Sequence, residues 1–345
     1  MAELPAKKTT IRKTVAKKAV KKTAAKKSIA KKPSGSLQAQ AQELFSLLNK
    51  RLGPDEFILP SDVDALIASL TGPSVHEGLD DAEADKKDEA QQIAFDAMEA
   101  ETEAEARKLA KRALRLDPDC VDALVLMADL DAPTRKALIE GLKKAVEVGE
   151  RALGAKFIQE NKGHFWLLLE TRPWMRALDR LASEQKDAGL NPDAIGIYEQ
   201  MLELNPNDNQ GVRDPLLGLY LTVGDLKGAG KLLKKYEKDA LANFAWGRVL
   251  ERFLADDRAG AKAALEIARA ANRHVELYIT ARKPLPEDPP EMYSPGSEEE
   301  AVLLLSNLGD AWAAHKEATV WLFDELQAEG KHRPKRSPAR RGKAQ

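Results

Sequence analysis

Residues 191–236 read NPDAIGIYEQMLELNPNDNQGVRDPLLGLYLTVGDLKGAGKLLKKY. Their punctuation is that of short helices joined by tight turns. Asn191-Pro192 is a cap followed by a first-turn proline. Ala194, Tyr198 and Met201 then form an apolar stripe at helical spacing, closed by Pro206. Asn205-Pro206-Asn207-Asp208 ends that helix and offers a cap to the next. Leu216, Leu217 and Tyr220 make a second stripe, Gly224-Asp225 a helix-to-helix turn, and Ala229, Leu233 and Tyr236 a third stripe.

The pattern extends in both directions. Downstream, Trp246, Val249, Leu250 and Phe253 precede Ala261, Leu265 and Ala268. Upstream lie Leu181 and Ala182, and before them Ile93 and Ala94 on one helix with Ala106, Ala110, Ala113 and Pro118 on the next. The small residues Ala106, Ala194, Ala229 and Ala261 are 88, 35 and 32 residues apart. The last two intervals are near the 34-residue helix–turn–helix unit of tetratricopeptide repeats. The first equals two units plus about 20 residues. Residues 121–153, with Pro133 opening the second helix, supply the missing pair, and the excess falls at 154–174. Five prolines mark 283–296 as an extended excursion. Ser297 with Glu300 forms a capping box that opens a helix through Ala301, Leu304, Leu305 and Leu308. A partner helix over Thr319–Leu326 closes the stack.

Composition agrees with an all-α chain. Ala, Leu, Glu and Lys dominate, aromatics make up only 5%, and a 43% hydrophobic share is enough for a sizeable core. The single cysteine, Cys120, excludes an intrachain disulfide framework or a cysteine-based metal site. No apolar signal region opens the chain. The densest apolar run, Phe165 to Leu169, is too short to span a bilayer. The expectation is a cytoplasmic protein with no membrane contact.

Charge is unevenly distributed. Residues 1–33 carry +11 and residues 331–345 carry +7, so a net −1 leaves −19 on residues 34–330. The first segment repeats lysine doublets, Lys17-Lys18, Lys21-Lys22, Lys26-Lys27 and Lys31-Lys32, among small residues. It has too little apolar surface to offset chain entropy. The expected organisation is a disordered Lys/Ala-rich tail over 1–36 and a short helical segment over 37–72, carrying Leu44, Leu47 and Leu48 and then Val63, Leu66 and Ile67. An acidic linker follows over 73–88, a tetratricopeptide-like helical-repeat solenoid over 89–328, and a disordered basic tail over 329–345.

Three motifs suggest a family: Gly163-His164-Phe165-Trp166 through Glu170-Thr171-Arg172-Pro173, Leu204 through Arg213, and Tyr293-Ser294-Pro295-Gly296. Over roughly residues 90–325 the chain resembles bacterial tetratricopeptide proteins similar to the suppression-of-tumorigenicity-7 family. The resemblance implies an α-helical repeat fold and an interaction role. It implies no reaction, catalytic residue or cofactor, and the membrane segments of eukaryotic relatives have no counterpart in this sequence.

Candidate sites follow from residue chemistry. Trp166 and Trp174 flank Glu170 and Arg172 in the insertion, and Trp and Arg are the types that dominate interfaces. The alternatives are tryptophans packed between helices and a local Glu170–Arg172 ion pair. Asn209, Gln210 and Arg213 suit a groove that holds a peptide backbone or carboxylate, against a bland reading as cap and turn. Gly224–Lys231 superficially resembles a phosphate loop but lacks its glycine and hydroxyl positions. His76, His164, His274, His315 and His332 have no metal-ligand spacing. Cys120 follows Pro118-Asp119 at a helix start that favours a thiolate, against its reading as a buried residue, and Glu298, Glu299 and Glu300 read as partners of a helix dipole. The functional expectation is a non-enzymatic scaffold that binds an unidentified protein or peptide. The alternative is a nucleic-acid-associated protein whose tail lysines neutralise DNA or RNA phosphates without reading sequence, while the repeats recruit a partner.

Overall fold

The computed structural model describes residues 81–239 and 241–332. The Lys-rich tail, the helical segment expected over 37–72 and the chain beyond 332 lie outside the described residues. Fourteen α-helices and no strand occur among those described. They are α1 Asp81–Met98, α2 Glu103–Leu116, α3 Val121–Asp131, α4 Arg135–Leu153, α5 Ala155–Glu160, α6 Arg172–Asp187 and α7 Asn191–Leu204, followed by α8 Arg213–Val223, α9 Leu226–Lys235, α10 Ala242–Leu254, α11 Arg258–Ala271, α12 Val275–Ile279, α13 Glu298–Ala314 and α14 Lys316–His332. Two boundaries differ from expectation. The last eight residues of the acidic linker belong to α1, where Ala82, Ala84 and Lys86 favour helix over connector. At the far end α14 continues past 328 to His332.

The chain divides into two compact units, one of residues up to 184 with 203–206, the other of 185–202 with residues from 207. In the first, α1 packs on α2, α2 on α3, α3 on α4, and α1 also touches α3. The core forms around Ala90, Ile93, Ala94, Ala97, Ala110 and Ala113, all buried. Such small side chains let helix axes approach closely; at the α3–α4 crossing a Cβ on Gly141 would lie 2.8 Å from the Ala128 Cβ. The insertion is a short helix, α5, and two 3₁₀ turns at 165–167 and 169–171. The Thr171 hydroxyl ties the turns by donating to the carbonyls of Phe165 and Leu168.

The second unit repeats that order of contacts: α8 on α9, α9 on α10, α10 on α11, and α8 on α10. Side-chain caps recur with a constant interval. Thr102 and Thr134 cap α2 and α4, 32 residues apart; Asp225 and Asp257 cap α9 and α11, again 32 apart. Each aspartate accepts from a glycine amide three residues on, Gly228 and Gly260, the N-cap geometry. Helix α13 lies along α8 and α10. It buries Ala301, Leu304, Leu308, Ala311 and Trp312, with the Trp312 ring 6.4 Å from Trp246. Both its ends are held. Asn272 Nδ2 donates to the Ser297 carbonyl (2.7 Å) and to Glu300 Oε2 (2.8 Å), while its own carbonyl accepts from Trp246 Nε1. At the other end the His315 ring contacts the Leu221 carbonyl at 2.8 Å. Ser297 caps the helix as expected. Glu300, instead of returning to Ser297, accepts from Gly296 and Asn272.

Candidate functional site

The insertion's four candidates separate into wall, rim and surface. Trp174, offered as an interface residue, is buried. Its Nε1 donates to the Val146 carbonyl at 3.0 Å, and its ring stands 5.8 Å from Phe165. It rests on Gly149 of α4, where a Cβ would come within 2.6 Å of the indole. Trp166 is half-buried and carries the Arg172 guanidinium 5.1 Å from its ring centre, while Arg172 Nε donates to the Trp166 carbonyl at 3.1 Å. Arg172 is thus engaged by Trp166, and no ion pair joins it to Glu170 among the described residues. Glu170 instead lines a cavity of about 220 Å³. Val121, Leu153, Leu169, Pro173, Trp174 and Cys120 supply its apolar surface; Lys87, Asp88, Gln91, Asp117, Asp119 and Glu170 supply the polar part. Burial pushes the Cys120 thiol up to about 11, so the helix start does not make it a nucleophile.

The second group of candidates sits at the entry to α8. Arg213 donates to Asp208 Oδ2 and Asp239 Oδ2, both at 2.9 Å, and lies over the rings of Tyr236 (5.5 Å) and Phe244 (5.9 Å). Asp208 also accepts from the amides of Val212 and Arg213. Arg213 is therefore committed to internal partners and is a joint rather than a clamp. Asn209 is exposed and Gln210 half-buried beside it. Three carboxylates, Asp208, Asp214 and Asp239, share this one guanidinium. Burial, the repulsion of Asp239 and that of Asp208 outweigh Arg213 and push Asp214 up to about 6.

A folded-state pKa above the unfolded value stabilises the native state fully below about pH 4, and the gain is lost as pH rises through about 6. Asp214→Asn, which keeps an acceptor for Asn243 Nδ2, should therefore raise stability at pH 7.5 by on the order of 1 kcal/mol. Urea titrations at pH 7.5 and 4.5 check this. The expected result is a gain at the higher pH that shrinks at the lower.

A third arrangement escaped the sequence reading. On α1, α3 and α6 a polar stripe joins Gln91, Asp122 and Arg176. Asp122 is buried, accepts from Gln91 Nε2 at 2.7 Å and from Arg176 Nε at 3.0 Å, and pairs with the rest of that guanidinium. Arg176 in turn lies 5.6 Å from the ring centre of Phe95, a large apolar side chain left 40% exposed. Further along, Arg180 bridges Asp129 (2.8 Å) and Glu184 (2.6 Å). The available signal was spacing: Arg176 and Arg180 at i, i+4, and Asp122 and Asp129 at i, i+7, each pair on one helix face.

The phosphate-loop look-alike is a turn. Gly224 adopts a left-handed conformation (φ 75°) and its amide closes α8, while the Asp225 carboxylate takes the Gly228 amide that a phosphate would need. Glu298 pairs with Lys283 and lies 3.5 Å from His274. No described helix is long and apolar enough to cross a membrane, and no group of three His, Cys, Asp or Glu among the described residues is arranged to hold a metal ion. The chain matches no protein-family model and none of the curated proteins.

Proposed function

We propose that the chain is a non-enzymatic protein-interaction scaffold, a solenoid of tetratricopeptide-like helix pairs of the kind its sequence resembles. The observation that carries this reading is helix α13 in the second unit. The first helices of two successive pairs, α8 and α10, hold an amphipathic helix along their flank, burying its apolar face. Helix-in-groove binding of a partner uses the same physics. The 32-residue recurrence of caps and the contacts α1–α3 and α8–α10 support a repeat architecture. In the first unit the corresponding row is α1, α3 and α6, with Phe95 as its exposed apolar anchor and Arg176 and Arg180 beside it.

Affinity capture with the full chain, compared with Phe95→Glu and Trp166→Ala, tests the reading. Neither side chain is buried, so both variants should fold with unchanged circular dichroism. At least one captured protein should be lost with Phe95→Glu. If every captured protein survives both substitutions, these surfaces are not the scaffold's binding face. A second reading, non-specific nucleic-acid association through the tail, rests on a charge of +11 in 33 residues. It requires binding to DNA or RNA that weakens steeply with salt in a gel-shift titration.

A further inference from the structure

The cavity of the first unit combines an apolar interior with an acidic rim. Asp88, Asp117, Asp119 and Glu170 border it against the single cation Lys87. Asp119 is occupied by Arg151 at 2.8 Å, whereas Asp88 and Glu170 have no ion-pair partner among the described residues. A second depression, lined by Ala82, Glu83, Lys86, Leu116 and Pro118, shares Lys87 and Asp117 with the cavity. Its lining reaches Ala82 in the first turn of α1.

The occupant this site calls for is a segment with an aliphatic side chain set between cations. The chain carries one. In residues 17–32, KKAVKKTAAKKSIAKK, Val20 stands between Lys17-Lys18 and Lys21-Lys22, and Ile29 between Lys26-Lys27 and Lys31-Lys32. We propose that the segment Lys17–Lys32 of this same chain docks on the unit's acidic rim, with Val20 or Ile29 in the cavity and flanking lysines against Asp88, Asp117 and Glu170. Residues 33–80 separate it from α1. Even at the 1.5 Å per residue of a helix, those 48 positions reach roughly 70 Å, so the segment can meet the rim as an intramolecular ligand. Lysines held by the rim are not available to phosphates. Nucleic-acid binding and cavity occupancy therefore oppose one another, and by linkage each weakens the other equally. The docking itself requires no scaffold partner and is tested by the salt arm alone; only its opposition to DNA rests on the nucleic-acid reading above.

Zero-length carbodiimide crosslinking of the full chain at low salt tests it, with a mixture of ¹⁴N and ¹⁵N protein to separate links within a chain from links between chains. Links within a chain from Lys17–Lys32 to Asp88, Asp117 or Glu170 should outnumber those to other acids. They should disappear in 0.5 M salt or with a 20-nucleotide single-stranded DNA. Cys120, the only thiol and part of the cavity lining, should react several-fold faster with a small thiol reagent under either condition. Asp88→Asn with Glu170→Gln, both away from the core, should give the same acceleration at low salt. Links scattered over the acids of the second unit, links only between copies, or a Cys120 rate indifferent to salt and DNA would each overturn the proposal.

Discussion

A Gly218→Ala chain should lose the docking of helix α13 and melt well below the parent. A Cβ at position 218 would lie 1.9 Å from the carbonyl oxygen of Asn307 and 2.9 Å from its carbonyl carbon. The obstacle is backbone, so no rotamer change relieves it. The helix cannot slide either, because Asn272 holds its start and His315 its end. It must lift away from α8, which separates Trp312 from Trp246. Overpacking of this kind costs about 3 kcal/mol or more. Gly309→Ala on α13 itself is the control. Its Cβ would meet only the Leu305 Cβ at 3.6 Å, so the better helix former should be neutral or add up to about 1 kcal/mol. Thermal melting and proteolysis within residues 280–297 read the difference. Equal stability of the two variants would mean that α13 does not rest on α8.

Where the sequence was legible, one face of a helix alternated with a turn. The stripes Ala194/Tyr198/Met201, Leu216/Leu217/Tyr220 and Ala229/Leu233 are buried as the spacing predicts, because helical period and burial are both local properties. The role of α13 was not legible. Its apolar stripe announces a helix, but which surface it covers depends on Gly218 and Asn307, 89 positions apart and individually unremarked. The charged sites show the same limit. Residue type alone singles out Arg213 and Trp174, yet Arg213 is saturated by Asp208 and Asp239, and Trp174 by Val146, Gly149 and Phe165. Only folding brings those partners together. Conversely, Asp122 looks like any helix-start carboxylate until Arg176, 54 positions away, meets it. Residue type indicates that a group can bind; the fold determines whether its capacity is already used.

The two tryptophans of the insertion convert that distinction into a measurement. Trp174→Ala removes a fully buried indole, together with its hydrogen bond to Val146 and its contact with Phe165, and should destabilise the first unit by about 3–5 kcal/mol. Because the indole is also a wall of the cavity, its loss should open a path to Cys120, which should react markedly faster with a thiol reagent before global unfolding. Trp174→Phe, which retains a ring over Gly149, should recover part of the stability. Trp166→Ala removes only a half-buried ring and its stacking with Arg172, worth about 1 kcal/mol, and should leave Cys120 protected. Urea unfolding followed by circular dichroism ranks the three. A Trp166→Ala chain as unstable as Trp174→Ala would show that the surface ring, and not the buried one, anchors the insertion to α4.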